Sequence, residues 1–89
     1  MARERLIIVE DDPDLARTLT LALERDGFQV DAFHTGRAGL EGILSSPPDL
    51  VLLDLNLPDL DGLSVCRELR ETPAVQDLPV IILTARVEE

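Results

Sequence analysis

The chain has 89 residues, 45% of them hydrophobic, and its 18 Asp and Glu against 8 Arg and no Lys leave a net charge of −10. That length fits one small domain burying roughly 60–65% of its unfolded surface, and the apolar content excludes intrinsic disorder. The acidic surface repels phosphate backbones and disfavours direct nucleic-acid contact by this segment, drawing cations or basic partners instead.

The first apolar run, Leu6–Val9, is short and β-branched, as a strand covered on both faces would be. It ends in Glu10-Asp11-Asp12, and a run so short followed by acids is neither a signal peptide nor a membrane span. A helix follows in "DPDLARTLTLALERDG": Asp12 is the N-cap, Pro13 fits the first turn, and Gly27 is the stop. Leu15, Leu19, Ala22 and Leu23 are its expected buried stripe, with Leu21 off it. "FQVDAF" (28–33) alternates as an edge strand does. "TGRAGLEGILSS" is a weaker helix with three Gly, ending before Pro47-Pro48.

Leu50–Leu53 is a second buried strand, and Asp54 stands where it should end. Beyond the loop through Asn56, Pro58, Asp59 and Asp61, "GLSVCRELRET" is a third helix with Leu63, Cys66 and Leu69 on its apolar side and Asp61 as cap. Asp59 reads as a loop former, His34 as a surface residue, and Arg67 and Arg70 as surface partners of Glu68 and Glu71. Val80–Leu83 is the last strand, followed by Thr84. The lone Cys66 excludes an internal disulfide and a Cys-based zinc site. A cytoplasmic address is the inference.

Strands alternating with helices imply a parallel sheet with helices on both faces, whose chemistry collects at the carboxyl rim near the switch in strand order. Glu10, Asp11, Asp12, Asp54 and Thr84 all fall at strand ends on that rim. Carboxylates about 5 Å apart at an effective dielectric of 20 repel by roughly 3 kcal/mol a pair. All-oxygen donors without nearby His or Cys favour Mg²⁺ or Mn²⁺. A carboxylate there can also act as a nucleophile and form an aspartyl-phosphate. No GxxxxGK[ST] loop occurs and no GxGxxG follows a strand, so nucleotide binding has no support.

"LIIVEDDPDLARTL", "PDLVLLDLNLPDLDGLSVCRELR" and "LPVIILTA", in that order, resemble the receiver domain of two-component response regulators over nearly the whole chain. The resemblance implies an α/β, flavodoxin-like, doubly wound parallel sheet with strand order 2-1-3-4. It implies Asp54 as phosphoacceptor, Asp11 as direct Mg²⁺ (or Mn²⁺) ligand, Glu10 acting through water, and the Asn56 backbone carbonyl completing the set. Thr84 resembles the switch hydroxyl, followed by the small Ala85, and Pro58 and Gly62 shape the loop after the acceptor. The implied partner is a sensor histidine kinase or phosphotransfer protein, and a DNA-binding output domain downstream is common in such regulators.

Receiver domains have five β-α units, so residues 1–89 are expected to be the N-terminal part of one, without the fourth helix, fifth strand and fifth helix. The family's phosphoryl-binding Lys has no counterpart in this chain. The last strand is then expected to be an exposed apolar edge that favours self-association, and phosphorylation to be weak. Such a module promotes at most its own phosphorylation and dephosphorylation. The alternatives are a receiver-like interaction module that no longer cycles phosphate and, more distantly, an aspartyl-nucleophile phosphatase. The latter needs D-x-D after a strand, and Asp54-Leu55-Asn56 lacks the second acid.

Overall fold

The computed structural model describes residues 3–83. Its elements are β1 (Arg5–Val9), α1 (Pro13–Arg25), β2 (Gln29–Phe33), α2 (Gly36–Ser45), β3 (Leu50–Asp54), α3 (Gly62–Glu71), a single 3₁₀ turn (Pro73–Val75) and β4 (Val80–Leu83). The strands are parallel in the order β2-β1-β3-β4. The chain steps outward from β1 to β2, then returns to the other side of β1 as β3. The switch in strand order therefore lies between β1 and β3, where a doubly wound sheet opens its crevice.

Alternate residues of the central strands feed two cores, as the period of two requires. Ile7, Val9, Val51 and Leu53 pack with Leu40 and Ile43 of α2 and Val65 and Leu69 of α3. Leu6, Ile8, Val30 and Leu52 form the other face, with Leu19 and Leu23 of α1 against it. Double coverage explains why β1 and β3 are continuously apolar. At their amino ends, the Asp49 amide donates to the Arg5 carbonyl (2.8 Å), and the Arg5 amide donates to the Asp49 carboxylate, also at 2.8 Å.

Local signals set the helix ends. The Asp12 carboxylate accepts from the amides of Asp14 and Leu15, Thr35 caps α2 through the Ala38 amide, and Asp61 caps α3 through the Leu63 amide. Gly27 follows α1 at φ 98°, a left-handed conformation that side chains resist. The glycines of α2 serve packing: a Cβ on Gly39 would lie 2.6 Å from Val9 Cγ2, so only a bare backbone lets α2 sit this low on β1.

Several faces differ from the expected ones. In α1 the buried residue is Ala16, while Leu15 and Ala22 are exposed. The helix approaches the sheet on its smallest side chain, which turns the contact line by one residue. In α3, Val65 and Leu69 are buried at i, i+4 spacing, Cys66 lies on the flank, and Leu63 is 56% exposed. Burial pushes the Cys66 thiol pKa up. The alternating strand begins at Gln29 rather than Phe28, and Val30 is its buried residue. Arg70 does not pair with a neighbouring acid. Its guanidinium donates to the carbonyls of Gln76 (3.0 Å) and Leu78 (2.7 Å), tying α3 to the segment that leads into β4. β4 is not covered on both faces, since Ile81 and Ile82 are 50% and 39% exposed. Among the described residues the ion pair is Arg5–Asp31, at 3.5 Å.

Candidate phosphoacceptor and cation site

Pairing between β1 and β3 runs from Leu6 opposite Leu50 to Val9 opposite Leu53. One further step along both strands brings Glu10 beside Asp54. Both are buried although charged residues are seldom so, at 4% and 7% exposure. Asp11, exposed on the following turn, completes the group: carboxylate oxygens of Glu10, Asp11 and Asp54 all lie within 4.8 Å of one another.

The backbone holds these acids in place. The Glu10 amide donates to the Phe33 carbonyl (2.9 Å), and Glu10 Oε2 accepts from the Asp12 amide (3.1 Å). Asp54 Oδ1 accepts from the Asn56 amide (3.0 Å). Burial, followed by the charge of Asp54 and hydrogen bonding to Asp54 and Asp11, pushes the Glu10 pKa up to about 7, against a partly opposing bond from the Asp12 amide. Three acids at this spacing keep their charges only with a cation among them. The donors are hard carboxylate oxygens, so Mg²⁺ or Mn²⁺ fits their chemistry and a soft metal does not.

The loop after Asp54 is folded back on the strand end. Gly62 begins α3 in a buried position, and its amide donates to the Leu55 carbonyl (3.2 Å). A Cβ there would lie 2.6 Å from Leu55 Cα and 2.7 Å from the Asp54 carbonyl oxygen, so the loop closes this tightly only on glycine. Pro58 is exposed in the same loop. Asn56 joins the site through its amide, and Asp12 caps α1 rather than joining the carboxylate group. Thr84 and Ala85 lie outside the described residues.

Two side chains carry roles that their sequence positions do not advertise. Asp59 accepts from the amides of Gly36 (2.7 Å) and Arg37 (3.0 Å), so the loop behind the phosphoacceptor candidate also holds the first turn of α2. The Arg37 amide foremost, then that of Gly36, keeps the Asp59 pKa below the usual carboxylate value. His34 Nδ1 lies 3.0 Å from the backbone oxygen of Glu10. Neither has a local sequence signal, because their partners are 23 and 24 residues away.

Fold and rim together define a class: a doubly wound α/β domain with a group of carboxylates that could hold a cation beside a buried strand-end Asp. The model of the response regulator receiver domain matches residues 6–89, and the chain belongs to that family. It is 45% identical over 82 residues to the response regulator ArlR of Staphylococcus saprophyticus, which covers 92% of this chain and 36% of that protein. With the DNA-binding response regulator MtrA of Mycolicibacterium smegmatis the identity is 42% over 86 residues, 97% of this chain and 36% of the relative. The response regulator TrrA of Thermotoga maritima, solved in complex with Mg²⁺-BeF, superposes with a TM-score of 0.87 at 32% identity, over 93% of this chain and 70% of that one. The chain thus spans about a third of the length of the curated relatives it matches.

Proposed function

We propose that the chain is the phosphoacceptor module of a two-component response regulator, and that Asp54 receives the phosphoryl group in a step dependent on Mg²⁺ or Mn²⁺. One observation carries this reading: in a receiver-family chain, three carboxylates from the ends of β1 and β3 converge within 4.8 Å. Asp54 is the nucleophile. One of its oxygens bonds to phosphorus as the P–N bond of a phosphohistidine breaks, and the departing imidazole takes its proton from water. The Asn56 amide holds Oδ1 and so fixes the carboxylate plane. Asp11 and Asp54 would hold the cation directly, with Glu10 acting through water and the Asn56 carbonyl completing the set. A bound Mg²⁺ supplies neutralisation of the carboxylates and of the phosphoryl oxygens. The complex of TrrA with Mg²⁺-BeF supports that cation. The roles of Thr84 and Ala85 rest on the family resemblance.

The donor is a sensor histidine kinase or phosphotransfer protein, and the added charge biases a two-state surface read by an output segment elsewhere in the whole protein. Binding of DNA by that output is supported by the character of MtrA, and the acidity of the present segment argues against its own contact with DNA. None of the described helices is long and apolar enough to cross a membrane, in keeping with a cytoplasmic module. Prolonged incubation with acetyl phosphate and Mg²⁺ is expected to add the mass of one phosphoryl group to a minor fraction of the 89-residue chain, mapped by borohydride trapping to Asp54. Labelling elsewhere, or labelling indifferent to Mg²⁺ and chelator, contradicts the proposal.

For the 89-residue chain taken by itself, pairing between copies along β4 is a second proposal, supported by its place at the edge of the sheet among the described residues and by exposed Ile81 and Ile82. Light scattering on the 89-residue chain is expected to give dimers or larger species whose population rises with concentration. A mass that stays monomeric across that range removes the idea.

A further inference from the structure

We infer that His34 is a positioning residue for the acidic cation site, an inference that rests on the cation reading above. Glu10 leaves the regular β1–β2 ladder just after Val9 pairs with Phe33. Its amide is still held by the Phe33 carbonyl at 2.9 Å. In a regular parallel ladder its carbonyl would meet the amide of Thr35, but at Thr35 the chain turns into α2 as its N-cap. The His34 imidazole takes that place, with Nδ1 at 3.0 Å. A carbonyl oxygen only accepts, so Nδ1 carries a proton and donates it.

The carbonyl so held belongs to the peptide joining Glu10 to Asp11. Fixing its plane fixes the direction in which the chain enters Asp11, the exposed member of the triad. Glu10 is then restrained at its amide, its carbonyl and, through the Asp12 amide, at Oε2. His34 is itself exposed, so burial does not account for this contact. A partner that orients a ligand without touching the metal works by lowering the cost of ordering the site before the ion arrives.

The test compares wild type, His34→Phe and His34→Asn by electron paramagnetic resonance of free Mn²⁺, with circular dichroism melting as control. Phe keeps a ring and cannot donate, whereas the Asn side-chain amide can donate from close to the position of Nδ1. His34→Phe is expected to weaken Mn²⁺ binding about tenfold, the low end for an outer-shell partner. His34→Asn is expected to stay near wild type, and both variants are expected to melt as the wild type does. Wild-type affinity in His34→Phe, or a loss in His34→Asn equal to that in His34→Phe, overturns the inference while leaving the cation reading intact. Failure of the wild type itself to bind Mn²⁺ overturns that reading and this inference together.

Discussion

Asp54→Ala is expected to abolish phosphoryl uptake, to weaken Mg²⁺ and Mn²⁺ binding more than about a hundredfold, and yet to raise the melting temperature of the metal-free protein. The first effect follows from losing the nucleophile. The second follows because removing a direct ligand costs more than removing an outer-shell partner, for which 10–100-fold is typical. The third separates a working carboxylate from a structural one. Asp54 is 7% exposed, and its oxygens lie within 4.8 Å of two other acids. At about pH 8, where Glu10 is ionised, and at an effective dielectric of 20, each such contact repels by roughly 3 kcal/mol, and the bond from the Asn56 amide, about 1.5–3 kcal/mol for a charged acceptor, does not offset both. Asp11→Ala should match the metal effect while raising stability less, because Asp11 is exposed. Calorimetric titration with Mn²⁺, acetyl phosphate labelling and thermal melts check the three outcomes. A drop in metal-free stability for Asp54→Ala contradicts the account of a strained acidic site.

The second large effect is a pH dependence that runs against ordinary acid denaturation. Glu10 has a folded-state pKa raised from 4.5 to about 7. Between those values the native state holds a proton that the unfolded chain releases, so metal-free stability falls as pH rises through this window. A shift of that size corresponds to on the order of 3 kcal/mol. For a domain of this length it moves the melting temperature by about 10–20 °C. Asp59 acts in the opposite sense at lower pH: its depressed pKa adds stability above the usual carboxylate range that is lost on further acidification. The metal-free optimum is therefore expected near pH 5. Protons and cations compete for Glu10, so Mg²⁺ should stabilise the protein far more at pH 8 than at pH 5. Glu10→Gln should flatten the slope between pH 5 and 8. Thermal melts across that range, with and without Mg²⁺, check this, and a metal-free melting temperature that rises from pH 5 to 8 contradicts it.

Much of the fold can be read from local pattern. Strands β1 and β3 are continuous apolar runs because both their faces are covered, and Asp12, Asp61 and Gly27 act on neighbours only a few residues away. Glu10 and Asp54 could be placed together because the period of a strand and the adjacency of β1 and β3 leave their tips side by side. Helix faces are less legible. A 3.6-residue period tells that an apolar stripe exists, but a rotation of one residue exchanges Ala16 for Leu15 and Val65 for Cys66, and only packing against the sheet selects between them. The glycines of α2 look like weakness in isolation and become a requirement once Val9 lies beneath Gly39. The roles of Asp59, His34 and Arg70 escaped because each binds a backbone group set in place by tertiary folding, and no spacing rule links such partners.

The most direct measurement is a crystal structure of the protein soaked with Mg²⁺ and beryllofluoride. The account predicts one ion touching carboxylate oxygens of both Asp11 and Asp54, with the beryllofluoride on Asp54. Those two side chains directed away from each other with no ion between them, or beryllofluoride bound at another residue, would contradict it.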